Sequence, residues 1–166
     1  METFAAIAIT LYVAHHVGDY WIQTDHQACH KGAGGAEGRI ACLKHVATYT
    51  LTQLALLALL WCTSVGPFGS PGGWALGLGI SAATHYTADR REHGLMFKLA
   101  RRIPGKAAFL RLGAPRAGVE IPAYPDQGAP RFVGDNPSLG TGAWALDQGW
   151  HLFFGVFVAG LVIALV

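Results

Sequence analysis

Ala14-His15-His16-Val17-Gly18-Asp19-Tyr20-Trp21-Ile22-Gln23 closes an otherwise apolar stretch that begins near Phe4. At helical pitch His15, Asp19 and Gln23 fall at successive i, i+4 steps, so they share one side of the helix. An imidazole and a carboxylate on a segment this greasy make poor sense facing lipid. Turned inward among other helices they can find partners, and the reading of the whole chain follows from that requirement.

Working outward, the same device recurs. His85 and Asp89 lie four residues apart near the end of a second apolar stretch, and Asp147 and His151 lie four apart, in reverse order, near the start of another. His45 opens a long apolar run with Tyr49 one turn later. Four stretches are thus expected to cross a hydrocarbon core about 30 Å thick, at about residues 4–23, 45–65, 73–89 and 143–166. Of the 166 residues 52% are hydrophobic and 13% charged, against about 25% charged in soluble domains. The expected class is all-α: a single polytopic integral membrane domain over residues 1–166, built as a four-helix bundle.

Residues 66–73 read Gly-Pro-Phe-Gly-Ser-Pro-Gly-Gly, a run of helix breakers predicting a tight turn between antiparallel neighbours. The loop 24–44 holds Lys31, Arg39 and Lys44, and the loop 90–142 holds the other nine of the twelve basic residues. The positive-inside rule makes both loops cytoplasmic and puts both termini outside. The first apolar block lacks a basic leader and carries His15, His16 and Asp19, so it is expected to be a retained helix. Residues 94–103 alternate apolar and basic residues and predict a short interfacial helix. Beyond Pro104 the chain to Gly140, with Pro115, Pro122, Pro125, Pro130 and Pro137, predicts an irregular Pro/Gly-rich cytoplasmic loop.

With this orientation the polar groups of all four spans fall in one stratum, within about the inner half of the bilayer at 1.5 Å per residue. His15, Asp19, His45, His85, Asp89, Asp147 and His151 form the expected ligand set for one or two divalent ions, zinc first, manganese or iron next. Asp19, Asp89 and Asp147 are the candidates for acid-base work, and Gln23, Tyr49 and Gln148 for orienting ligands or substrate. Two ions would suit hydrolysis of a phosphoester. The competing expectations are non-enzymatic: Asp-His hydrogen bonds that only hold a bundle together, or a metal or proton carrier.

A rival zinc site pairs His26 and Cys29 with Cys42 and His45, and would compete for His45. The three cysteines predict no disulfide framework. His16, His30 and His93 are expected to be bystanders. Lys31, Arg90 and Arg91 could grip an anionic lipid head group, but serve adequately as topology signals. The formal charge of +2 gives no reason to expect nucleic acid as a partner.

The strings HHVGDYWIQ (15–23), LKHVATYT (43–50), THYTADR (84–90) and LDQGWH (146–151) resemble, in this order, a bacterial and phage family of small membrane proteins described as a domain of unknown function. The resemblance covers the four helices and implicates His15, Asp19, Gln23, His45, His85, Asp89, Asp147, Gln148 and His151, with His15 favoured over His16. More distantly, the pattern is similar to inner-membrane metal-dependent hydrolases, themselves likened to zinc-dependent phospholipases C and P1-type nucleases. That likeness implies a membrane-associated phosphoester or lipid-like substrate.

Overall fold

A computed structural model describes residues 2–63, 67–112 and 141–166, and within them the chain is all-helical. Helix α1, Glu2–Val17, continues into a π-helical turn, Gly18–Ile22, where Gln23 N donates to Gly18 O at 3.0 Å. The turn brings the backbone against the next long helix: a Cβ at Gly18 would stand 2.8 Å from Tyr49 Cδ2, so a bare α-carbon is needed there. Thr24 then stops the chain and restarts it. Its hydroxyl accepts from Gln27 N at 3.2 Å while Gln27 Oε1 accepts from Thr24 N at 2.9 Å, a reciprocal cap for the short helix α2, Asp25–His30.

Helix α3, Gly35–Trp61, corrects the expected boundary of the first loop. Residues 35–44 are helical, so the loop 24–44 contains α2 and the first ten residues of α3. The cause is tertiary. Gly38 lies flush against the connector, where a Cβ would fall 2.0 Å from Ala33 O, and Cys42 is fully buried. That packing outweighs the poor helix propensity of the glycines. At 27 residues α3 is about 40 Å long, more than a hydrocarbon core requires, and its surplus turns carry the exposed Arg39 and Lys44.

Helix α4, Pro71–Asp89, starts with Ser70 Oγ accepting from Gly73 N at 3.0 Å and with proline at its first position, where the missing N–H costs nothing. A 3-10 turn, Arg91–His93, leads to α5, Leu95–Arg102, inside the stretch 94–103 expected to form a short helix. Helix α6, Lys106–Leu110, replaces the irregular structure expected just after Pro104; the remaining prolines, Pro115, Pro122, Pro125, Pro130 and Pro137, lie outside the described residues. Thr141 caps α7, Gly142–Trp150, which runs through a π-helical segment, His151–Val158, into α8, Ala159–Leu165. These three form one continuous C-terminal helix.

The long helices pack as a ring. α1 and α4 each lie against both α3 and the C-terminal helix. One end of the bundle is filled by Ile7, Leu11, Leu57, Phe68, Leu78, Val156, Ala159 and Ile163. Close approach of α4 there needs Gly77, whose Cβ would meet Ala159 O at 2.8 Å. At the other end Met96, Phe97, Ala100 and Leu110 tuck α5 and α6 under Ala88. The outward faces are apolar: Ile9, Leu51, Leu59, Leu76, Phe153 and Phe157 are exposed. Two helical units, Gly35–Trp61 and Gly142–Leu165, are long and apolar enough to cross a membrane.

Candidate metal centre

The four helical units deliver their histidines to one buried place. His15, His45, His85 and His151 are each no more than 2% exposed. Asp89 is buried beside them, and the Asp19 side chain is 8% exposed. The i, i+4 pairs form as spacing requires: His15 Nδ1 to Asp19 Oδ2 3.5 Å, His85 Nε2 to Asp89 Oδ2 3.1 Å, and His151 Nδ1 to Asp147 Oδ2 3.5 Å.

The tightest convergence joins α3 to α4. His45 Nε2 and His85 Nε2 are 2.9 Å apart, and Asp89 Oδ2 is 3.1 Å from each. Asp19 Oδ1 lies 3.2 Å and 3.4 Å from the same two nitrogens. One proton between two imidazole nitrogens can serve one bond, whereas lone pairs from four side chains point into this volume. Asp19 Oδ1 and Asp89 Oδ2 depend on these two ring nitrogens for partners. A tetrahedral ion with bonds of about 2.0 Å holds its ligands about 3.3 Å apart, close to the edges seen here. The donor set fits a divalent cation.

Two further groups adjoin it. His15, Asp19, His85 and His151 bring one donor atom each within 4.8 Å of one another, as do Asp89, Asp147 and His151. His15 Nε2 donates to Gln148 Oε1 at 3.1 Å, which leaves its Nδ1 lone pair facing Asp19 with no hydrogen bond. Neither ring nitrogen of His151 has a hydrogen-bond partner, and His85 Nδ1 also lacks one. Buried imidazole lone pairs without a donor are costly, and a cation is one group that completes them.

All seven expected ligands therefore come together, and the three expected helpers are beside them. The Tyr49 ring lies 3.9 Å from that of His85, centroid to centroid, and its hydroxyl accepts from Gln53 Nε2 at 3.1 Å. Gln23, with its amide oxygen turned inward, accepts from Lys31 Nζ at 2.8 Å. His16 is half-buried, its Nδ1 donating to Tyr12 O at 3.0 Å, in line with the preference for His15.

The rival thiolate site does not assemble. Cys29 bonds to Asp25 Oδ1 at 3.6 Å, Cys42 lies 4.0 Å from Tyr86 O, His26 stacks on His30, and no cysteine enters a potential metal cluster among the described residues.

Lys31 has a role that spacing did not reveal. Expected as a topology signal or a head-group contact, it is a buried ammonium 2.9 Å from Asp89 Oδ1, and Arg90 and Arg91 are buried as well. Arg90 Nη1 donates to Lys31 O at 2.7 Å and so fixes the backbone that presents it. Burial opposes the charge on Lys31, but Asp89 and Asp19 outweigh it and hold its pKa above the ordinary lysine range. Gln53 was also missed, although it continues the His45, Tyr49 face of α3 by one more turn; its Nε2 reaches Gly155 O at 3.5 Å across the bundle. No family model matches the chain, and neither a curated protein nor a solved structure does.

Proposed function

We propose that the chain is a membrane-embedded protein that binds one or two divalent metal ions, zinc first, manganese or iron next, and hydrolyses a phosphoester or lipid-like substrate at the cytoplasmic face of a bacterial inner membrane. The observation that carries this reading is the triangle of His45 Nε2, His85 Nε2 and Asp89 Oδ2, with edges of 2.9, 3.1 and 3.1 Å, on three side chains that are all buried. The apolar outward faces of all four helical units, with Leu51, Leu76 and Phe153 exposed, support a bilayer setting in which each unit spans.

In this reading His45, His85 and Asp89 hold one ion, and His15, Asp19 and His151 a second. A divalent ion so held supplies charge to a phosphoryl oxygen and acidifies a water at neutral pH. The protein's own groups do the rest. Asp147, only partly buried and 3.5 Å from His151, is placed to hold or pass a proton. Gln148 fixes which His15 nitrogen faces Asp19, and Lys31 offsets one of the negative charges gathered at Asp89.

The non-enzymatic reading has an observation of its own. The Lys31–Asp89 pair already gives one carboxylate a cation, so the cluster could serve the fold alone. Metal analysis by mass spectrometry on detergent-purified protein separates the two. Near-stoichiometric zinc, manganese or iron in the parent, lost in folded His85→Ala and His151→Ala variants, supports the metal site and justifies a phosphoester substrate screen. A parent that stays metal-free after reconstitution refutes it.

A further inference from the structure

A second feature lies beside the His/Asp cluster, on the far side of Arg90. Between the start of α3 and the turn that follows α4 is a cavity of about 280 Å³, lined by Gly35, Arg39, Tyr86, Thr87, Arg90 and His93, with Gly94 and Leu95 completing the wall. Its titratable lining is cationic or neutral, with no carboxylate. Of the two acids adjacent in sequence to its lining, Glu92 is engaged with Arg101 and Asp89 with Lys31. Glu37 is turned toward His30, at 3.8 Å.

The surroundings hold the basic groups in place. Arg90 is 5% exposed and braced by its bond to Lys31 O. Arg91, which follows it, has φ +46°, a left-handed conformation that a side-chain-bearing residue takes at a cost of order 1 kcal/mol, and the 3-10 turn it opens carries His93 to the cavity. The Arg91 stem packs on the connector, where a Cβ at Gly32 would lie 2.8 Å from Arg91 Cδ. From the opposite wall comes the start of the 27-residue α3, whose cap residue Gly34 offers no side-chain oxygen to the first-turn amides. Two guanidiniums, an imidazole, a phenol and the positive end of a long helix thus line one small, partly open volume.

We infer that this cavity binds a phosphate group, carried either by an anionic lipid head group or by a soluble phosphoester. Its volume, just under the usual range of small-molecule pockets, suits a head group and not a whole drug-sized ligand. The basic residues belong to the end of the bundle that carries the His/Asp cluster, and Arg90 connects the two through Lys31, which contacts Asp89. As a substrate subsite the cavity rests on the hydrolase reading above; as a phosphate-binding site it stands alone.

The test uses the full chain in detergent, with native mass spectrometry after addition of phosphatidate, phosphatidylglycerol or phosphatidylcholine, and calorimetric titration with inorganic phosphate. The parent should retain the two anionic lipids over phosphatidylcholine. Arg39→Glu, at an exposed position, should weaken that binding about tenfold, the scale of one charge-assisted hydrogen bond, without lowering the melting temperature. Arg102→Glu, exposed on α5 outside the cavity, should leave it unchanged. Displacement of the lipid by inorganic phosphate would identify a soluble phosphoester as the ligand, and persistence of the adduct would identify the lipid head group. Equal retention of phosphatidylcholine, unchanged binding in Arg39→Glu, or equal weakening by Arg102→Glu overturns the inference. Metal content is read in the same samples. A metal-free chain that selects anionic lipid refutes the hydrolase reading alone, whereas a metal-loaded chain without selectivity refutes this cavity alone.

Discussion

The two ends of the bundle solve opposite problems with the same four helical units. The end built on Ile7, Leu11, Leu57 and Ile163 has little polar to satisfy, Trp74 Nε1 donating to Phe68 O at 3.0 Å, and is held by shape, through contacts that glycines such as Gly77 make close. The other end, from His15 and Asp19 across to Lys31 and Asp89, has more lone pairs than protons and is held by charge. Between them Tyr49 and Gln53 form a polar step, Gln53 reaching toward Gly155 O. Packing alone can be relaxed by small shifts; a cluster of buried carboxylates cannot, because each unpaired charge must be neutralised or rehydrated. The difference teaches where this protein tolerates change.

The harshest way to break the comparison is Asp89→Ala. It strands Lys31 as a buried cation without its nearest carboxylate, and a loss of about 3–5 kcal/mol is expected, seen as a collapse of the melting temperature in detergent. Adding Lys31→Met should recover much of that stability without restoring metal. Next is Leu51→Lys, on an outward face at 62% exposure. In a bilayer this costs about 2.5–3.5 kcal/mol and should impair insertion. If α3 is solvated the same change stays within about 0.5 kcal/mol, so membrane fractionation of the variant distinguishes the settings.

Leu57→Ala, in the apolar end, removes a fully buried side chain and should cost about 2 kcal/mol while leaving metal content at the parent value. Loss of metal from this variant would mean the two ends are coupled. The mildest change is Gly18→Ala, whose Cβ would press on Tyr49 Cδ2 at 2.8 Å. A cost of about 1 kcal/mol is expected, with weakened metal retention because Asp19 follows immediately. A dialysis half-time equal to the parent's would show that the π turn does not position Asp19.

Most of the cluster was legible because helices translate spacing into faces. His15 with Asp19, His85 with Asp89 and Asp147 with His151 each required only the i, i+4 rule, and placing them in one stratum required only the basic loops. The start of α3 was hidden because Gly35, Gly38 and Arg39 look like loop and become helix only by packing on the connector and on α4. Lys31 was hidden for a deeper reason: its partner is far away in sequence, and a lysine in a basic loop carries no local mark of burial. Gln53 could have been found by following α3 one turn past Tyr49.

The π-helical segment His151–Val158 carries a further consequence, for descent and for engineering. A π turn accommodates an extra residue without disturbing the helix on either side, so such a segment is where an ancestral insertion can lodge. Removing one residue between 152 and 158 would let the segment relax to an ordinary helix. Everything beyond would keep its facing relative to His151, because the wide turn already absorbs the one residue, about 100° of winding, that the deletion removes. Ala159 and Ile163 would stay against Gly77, whereas a deletion in the regular helix Gly142–Trp150 would exchange outward-facing positions with core positions further along. The one residue's worth of slack between the cluster end and the apolar end thereby marks this stretch as the place in the C-terminal helix where a single deletion is best absorbed.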